Sequence, residues 1–195
     1  MSVKLQKGQK VSLSKNHVGL SRIIVGLGWD EIQQPRGFFT PKQQDIDCDA
    51  FALMLINGKI TSNADIVYFG NLTHQSGSVK HMGDNLTGAG EGDDEQIVID
   101  LNSVPGQYNK IVLAVNIYKA LERRQHFGMI RNAFIRLVDG RNNSEICIYN
   151  LTENYSGKTA MLFGEVYRYN GEWKFSAIGQ GTTEGSIGEF AKRYL

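Results

Sequence analysis

Residues 160–181 read AMLFGEVYRYNGEWKFSAIGQG. The first run, 160–169, alternates its side chains as a core strand does, with successive residues on opposite faces. The second, 173–178, is aromatic and apolar. Between them sits Asn170-Gly171, the pair favoured in two-residue hairpin turns because both central residues need positive φ. The stretch reads as two antiparallel strands and a tight turn.

The same punctuation recurs along the chain. β-branched or aromatic runs occupy 20–29, 49–57, 65–69, 96–101, 110–118, 133–138 and 145–149. Asn57-Gly58 marks a second hairpin, and Pro105-Gly106 and Asp139-Gly140 mark further turns. Helix is scarce. Residues 119–127 hold at most a turn or two, whereas 186–195 carries Ile187, Phe190, Ala191 and Tyr194 at helical spacing behind a Ser186/Glu189 capping box. About nine short strands and one terminal helix predict an all-β antiparallel β-sandwich. With no internal repeat and no linker, one domain over 1–195 is expected.

Composition excludes several classes. Of 195 residues, 41% are hydrophobic and 21% charged, ordinary for a globular domain. Lys+Arg 21 against Asp+Glu 20 gives a net charge of +1, so no global basic footprint for nucleic acid exists. No apolar stretch reaches the roughly 20 residues of a membrane span. The first residues, MSVKLQKGQKVSLSK, lack a signal peptide's apolar region, and Cys48 and Cys147 form no disulfide framework. A cytoplasmic location is expected.

Against that neutral background, residues 83–95, GDNLTGAGEGDDE, gather five carboxylates: Asp84, Glu91, Asp93, Asp94 and Glu95. No Lys or Arg interrupts them. Bare, they repel one another. Glycines such as Gly88 and Gly90 let a backbone wrap and turn its carbonyls inward, and Asn85 and Thr87 add neutral oxygens. Ca²⁺ takes about 6–8 oxygen ligands of these mixed kinds. A second cluster, Asp45, Asp47 and Asp49, recurs at period two. In an extended segment Phe51, Leu53 and Leu55 continue that face as core, while Cys48 points the other way as a small buried residue. Asp30 closes GLGWD beyond an apolar strand.

Other motifs fail. The DxDxD at 45–49 has Ala50 and Ile56 where an EF-hand loop needs Gly and Glu. Gly83-x4-Gly88 lacks the Lys-Ser/Thr of a phosphate loop. His17, His74, His81 and His126 have no zinc spacing. For His81 a surface or capping role is favoured over a ligand role.

VGLGWD (25–30), DIDCDAF (45–51), the acidic loop 83–95, RRQHFG (123–128), AFIRLV (133–138), AMLFGEVYR (160–168) and GEWKFSAIGQG (171–181) resemble, in order, the motifs of the TerD family of bacterial tellurium-resistance and stress proteins. The resemblance implies a β-sandwich binding calcium, commonly as two adjacent ions. Carried onto this chain, the ligands are Asp30, Asp45, Asp47, Asp84, Asp93, Asp94 and Glu95 with loop carbonyls. Ala89 and Asp49 depart from the family's usual acidic and small residues. The function expected is a non-catalytic stress-response scaffold or sensor, with calcium and other stress-operon proteins as partners. The alternative is a metal-dependent phosphoester hydrolase, which lacks an evident nucleophile. RRQHFG reads as a basic-aromatic tip, either a solvated turn or a partner or anion contact. Trp29 and Trp173 read as core or rim aromatics.

Overall fold

The computed structural model describes residues 2–31, 45–83 and 92–195. These form strands β1 (Val3–Leu5), β2 (Lys10–Ser12), β3 (Arg22–Glu31), β4 (Cys48–Leu55), β5 (Ile66–Val67), β6 (Val79–His81), β7 (Glu95–Asp100), β8 (Lys110–Ile117), β9 (Ile130–Asp139), β10 (Ser144–Asn150), β11 (Ala160–Tyr169) and β12 (Glu172–Thr182). The helices are α1 (Leu13–Asn16), α2 (Ala120–Arg123) and α3 (Ile187–Ala191), the last continued by a 3-10 turn at Lys192–Tyr194. None of the described helices is long and apolar enough to cross a membrane.

Two six-stranded sheets result, ordered β1-β10-β9-β3-β7-β6 and β2-β12-β11-β8-β4-β5. The β1–β10 pair is parallel and all other pairs are antiparallel. The two-sheet, β-rich architecture is the one expected, and β11 and β12 meet at Asn170 and Gly171 with φ of 50° and 76°. Strands β1, β2 and β6 were not anticipated. At three residues each they are too short to carry a periodicity.

The inner faces bury Ile23, Val25 and Leu27 of β3, Ile97 and Ile99 of β7, and Ile135 and Leu137 of β9 against Ala50, Ala52 and Met54 of β4, Leu113 and Val115 of β8, and Phe175 of β12. Phe51, Leu53 and Leu55 are buried and Cys48 is buried facing the other way, as expected, but β4 serves two separate cores. Phe51, Leu53 and Leu55 point to the outer face of the second sheet, while Cys48 joins the inter-sheet core. Both faces of β4 are buried, so its sequence holds no alternation to tell inside from outside. The outer face is roofed by α3, where Phe190 meets the Phe51 ring edge-on at 5.1 Å. Ser186 caps α3 by accepting from the Glu189 N–H at 3.2 Å, but the Glu189 carboxylate accepts from the Gly185 N–H rather than closing the box.

A buried polar knot secures the passage from β5, at the edge of one sheet, to β6, at the edge of the other. Asp65 lies in a 3-10 turn before β5, with its side chain and that of His74 both 0% exposed. Its Oδ2 accepts from the Thr61 N–H (2.9 Å), the Thr61 hydroxyl (2.8 Å) and the Ser62 N–H (3.0 Å). Its Oδ1 accepts from the Tyr108 hydroxyl at 2.7 Å and stands 3.4 Å from His74 Nε2. Burial pushes the Asp65 carboxyl up, but the bonds from Tyr108, Thr61 and His74 outweigh it and hold the group below the usual range.

Candidate metal centre

Three neighbouring strands build the platform. Gly26 of β3 lies between Gln96 of β7 and Arg136 of β9 in register. With no side chain at Gly26, the Asp93 carboxylate lies directly over the strand; a Cβ there would sit 2.2 Å from its atoms. The flanking residues grip it. Arg136 Nε donates to Asp93 Oδ1 at 2.7 Å, and Gln96 Nε2 donates to Oδ2 at 2.9 Å. The Asp93 side chain is 1% exposed. Two positions on, Gly28 makes room for Phe134, whose ring would lie 2.4 Å from a Cβ. The two glycines of VGLGWD are therefore steric requirements.

Asp94 turns the other way. Its N–H donates to the Leu27 carbonyl at 2.8 Å, and its Oδ2 accepts from the Trp29 N–H at 2.7 Å. A bulge between Gly28 and Asp30 in the β3–β9 pairing follows, and Asp30 Oδ2 accepts from Asn132 Nδ2 at 2.8 Å. Burial pushes the Asp94 carboxyl up, the Trp29 bond opposes this, and the charges of Asp30 and Asp93 push it further. Asp30 and Asp93 are thus each within electrostatic reach of Asp94.

Glu95 is the first residue of β7 and shares the inward parity of Ile97 and Ile99. Its Oε2 accepts from the Ala50 N–H, beyond the stretch where β5 pairs with β4, and stands 3.5 Å from His81 Nε2. His81 is buried, not at the surface, and caps the turn with its Nδ1 accepting from the Gly83 N–H at 3.1 Å. Asp45 and Asp47 are exposed on the segment entering β4. Their backbone is tied to the loop after β8: the Asp47 carbonyl accepts from the Tyr118 N–H at 2.7 Å and the Asp45 carbonyl from Gln125 Nε2 at 3.4 Å. Asp84, Asn85, Thr87, Gly88 and Gly90 lie outside the described residues. Among the described residues no three His, Cys, Asp or Glu side chains are grouped closely enough to hold a metal.

A TerD domain model matches residues 1–194. The chain belongs to the TerD family. It is 50% identical to the stress response protein SCP2 of Bacillus subtilis (strain 168), with both chains fully covered. It is also 50% identical to the tellurium resistance protein TerD of Serratia marcescens, over 95% of this chain and 93% of that one. Two crystal structures share the fold: SAV2460, of unknown function, with TM-score 0.67 and 23% identity, covering 89% of this chain and 95% of that one, and SCO6318 of Streptomyces coelicolor A3(2), with TM-score 0.64 and 21% identity, covering 89% and 96%.

Arg136, Gln96 and Asn132 are the residues of this TerD site that the sequence reading passed over. AFIRLV reads as a plain core strand, yet Arg136 is its charged, outward-facing member. Among the family motifs, RRQHFG splits in the structure. Phe127 is buried, His126 accepts from the Gly128 N–H at 3.1 Å, and Arg123 stacks on Tyr118, outside the motif. Trp173 is buried with Arg168 4.6 Å above its ring, and Trp29 packs against the core.

Proposed function

We propose that this TerD chain is a non-catalytic calcium-binding scaffold or sensor of the stress response, taking one or two ions at the pole where β3 ends and β7 begins. The observation that carries the reading is the state of Asp94: a partly buried carboxyl, raised by its burial and by Asp30 and Asp93, and held without a cationic partner of its own among the described residues. A hard cation relieves that repulsion, and the donors are oxygens of the kind calcium accepts in flexible geometry. Asp30, Asp45, Asp47 and Asp94 are the proposed carboxylate ligands from the described residues, with the oxygens of 84–91 completing the shell. Asp93 and Glu95 serve as anchors that orient the loop, because their oxygens already accept from Arg136, Gln96 and Ala50. Thiol chemistry on tellurium compounds runs against the burial of Cys147, which pushes its thiol up to about 12 and leaves little thiolate.

Calorimetry in physiological magnesium is expected to show calcium binding at micromolar Kd or tighter, since Mg²⁺ demands near-octahedral geometry and yields its waters reluctantly. Saturation at 100 times Kd adds about 2.7 kcal/mol, so Tm rises by roughly 5–10 °C. Binding abolished by excess magnesium defeats the sensor reading. Metal-dependent phosphoester turnover that disappears in Asp94→Asn would instead establish the hydrolase.

The same variant tests the electrostatics. A carboxyl raised in the folded state stabilises below its unfolded pKa and loses that contribution as pH rises through the folded value. Ionised Asp94 therefore weighs against the calcium-free fold at neutral pH. Asp94→Asn in chelator is expected to melt higher than wild type at pH 7, with the difference vanishing in acid. Its Tm should no longer respond to calcium. Asp93→Asn should instead melt lower with or without calcium, because it weakens the grip of Arg136.

A further inference from the structure

The loop between β8 and β9 presents an unusual surface. Lys119 and Arg124 bracket α2 in left-handed backbone, with φ of 52° and 54°. The turn between them buries the smaller side chain and exposes the larger: Ala120 is 1% exposed and Leu121 69%. Leu121 leans over Gly185, where a Cβ would lie 3.2 Å from its Cδ1 and 3.5 Å from Oε2 of the exposed Glu189, an acid that, like Asp45 and Asp47, works against an anionic partner. Beside it the exposed Tyr118 ring carries two cations, Arg123 at 5.1 Å and Lys119 at 5.6 Å from its centroid. Arg124 is exposed as well. Glu122 is the one acid in 118–124 and stands 3.6 Å from Lys119, so the excess positive charge belongs to the two arginines. The turn is held from below, where Gln125 is buried and its N–H donates to the Ala120 carbonyl at 2.8 Å.

We propose that residues 118–124 are a docking tip for an anionic membrane surface, and that calcium at the neighbouring loops strengthens the docking. The calcium dependence rests on the function proposed above; the tip itself does not. A protruding leucine, an aromatic with a polar end and flanking cations match the layering of a bilayer surface: acyl boundary, interface and phosphate. A basic residue near an anionic surface contributes about 1 kcal/mol, roughly fivefold in affinity, so two arginines and one leucine make a weak, reversible contact. The exposed Asp45 and Asp47, on the segment bonded to Tyr118 and Gln125, oppose it while bare. Neutralising them removes that opposition. The tip projects one aliphatic side chain and one aromatic ring, too few to form a row along which an acidic peptide could lie.

The test is co-sedimentation of the full chain with vesicles of equal parts phosphatidylglycerol and phosphatidylcholine, or of phosphatidylcholine alone, in calcium and in chelator. Calcium binding is measured by calorimetry without vesicles. Wild type is expected to sediment with the anionic vesicles in calcium, at least several-fold less in chelator, and not with neutral ones. Arg123→Glu with Arg124→Glu, and separately Leu121→Ser, should lose most of that binding while keeping wild-type Tm and calcium affinity. No sedimentation in calcium by protein that binds calcium in calorimetry overturns the tip and leaves the calcium reading standing. Tip-dependent binding that is equal in chelator overturns the coupling. Anionic binding unchanged by Leu121→Ser but lost with the arginines, and competed by soluble polyglutamate, would assign the tip to a soluble polyanion instead.

Discussion

Asp65→Ala is expected to cost about 3–5 kcal/mol, the range for stripping one partner from a buried charged network. At about 2–4 °C per kcal/mol the melting temperature should fall by roughly 6–20 °C. The change leaves the Thr61 and Ser62 N–H groups and the Tyr108 hydroxyl without their acceptor inside the fold. Asp65→Asn should fall in between, because its amide replaces one acceptor with a donor among groups that all donate. pH separates charge from packing. A carboxyl held low in the folded state stabilises above its unfolded pKa, near 3.9, and loses that contribution as pH falls through the folded value. Wild type should therefore exceed Asp65→Asn by its full margin above about pH 4, and the gap should narrow below it until the two curves converge at the acid end. Thermal melts from neutral to acid pH read this directly. A loss below about 1 kcal/mol for the alanine variant would mean the knot does not secure the β5-to-β6 passage.

Gly26→Ala is the second large effect, though it adds only a methyl group. The Asp93 carboxylate occupies the space, and its displacement also breaks the bonds to Arg136 and Gln96. Overpacking alone costs about 1–3 kcal/mol, and freeing a buried carboxylate from its arginine adds to it. We expect a loss of about 2–4 kcal/mol and a calcium affinity weakened at least tenfold, since Asp94 is tethered through the next peptide bond. Asp93→Ala also destabilises, yet in the Gly26→Ala background it removes the clash. The double variant should be more stable than the sum of the two single losses. Strict additivity would mean that the carboxylate and the glycine do not share the space.

The strands could be read wherever local chemistry wrote them. Asn57-Gly58 and Asn170-Gly171 fix tight turns, and Ile97 and Ile99 alternate cleanly. The orientation of β4 could not, because Cys48–Leu55 is apolar on both faces and only α3, far along the chain, gives the outer face its cover. Asp65 reads as the first residue of a strand, and nothing local announces that Tyr108 and His74 come to meet it. At the site, Asp93 and Asp94 stand out by charge density and glycine content, and Asp30 by its place at the end of an apolar strand. Arg136 was not, because cross-strand register decides which side chain stands beside Gly26. The inward turn of Glu95 was available from parity with Ile97 and Ile99, had the strand been started one residue earlier.

The roof over the second sheet has a consequence for how the fold is reached. Phe51, Leu53, Leu55, Val112 and Leu162 are buried beneath Phe190, and β2 joins its sheet only through β12. Closure of this face thus waits on partners remote in sequence, a topology that slows the search for the native state. Until the roof arrives, a half-assembled sandwich shows water a broad greasy sheet, and a crowded cell under stress is where such intermediates clump. The segment around Phe190 covers this face, and loosening it is expected to show first as lost yield on refolding.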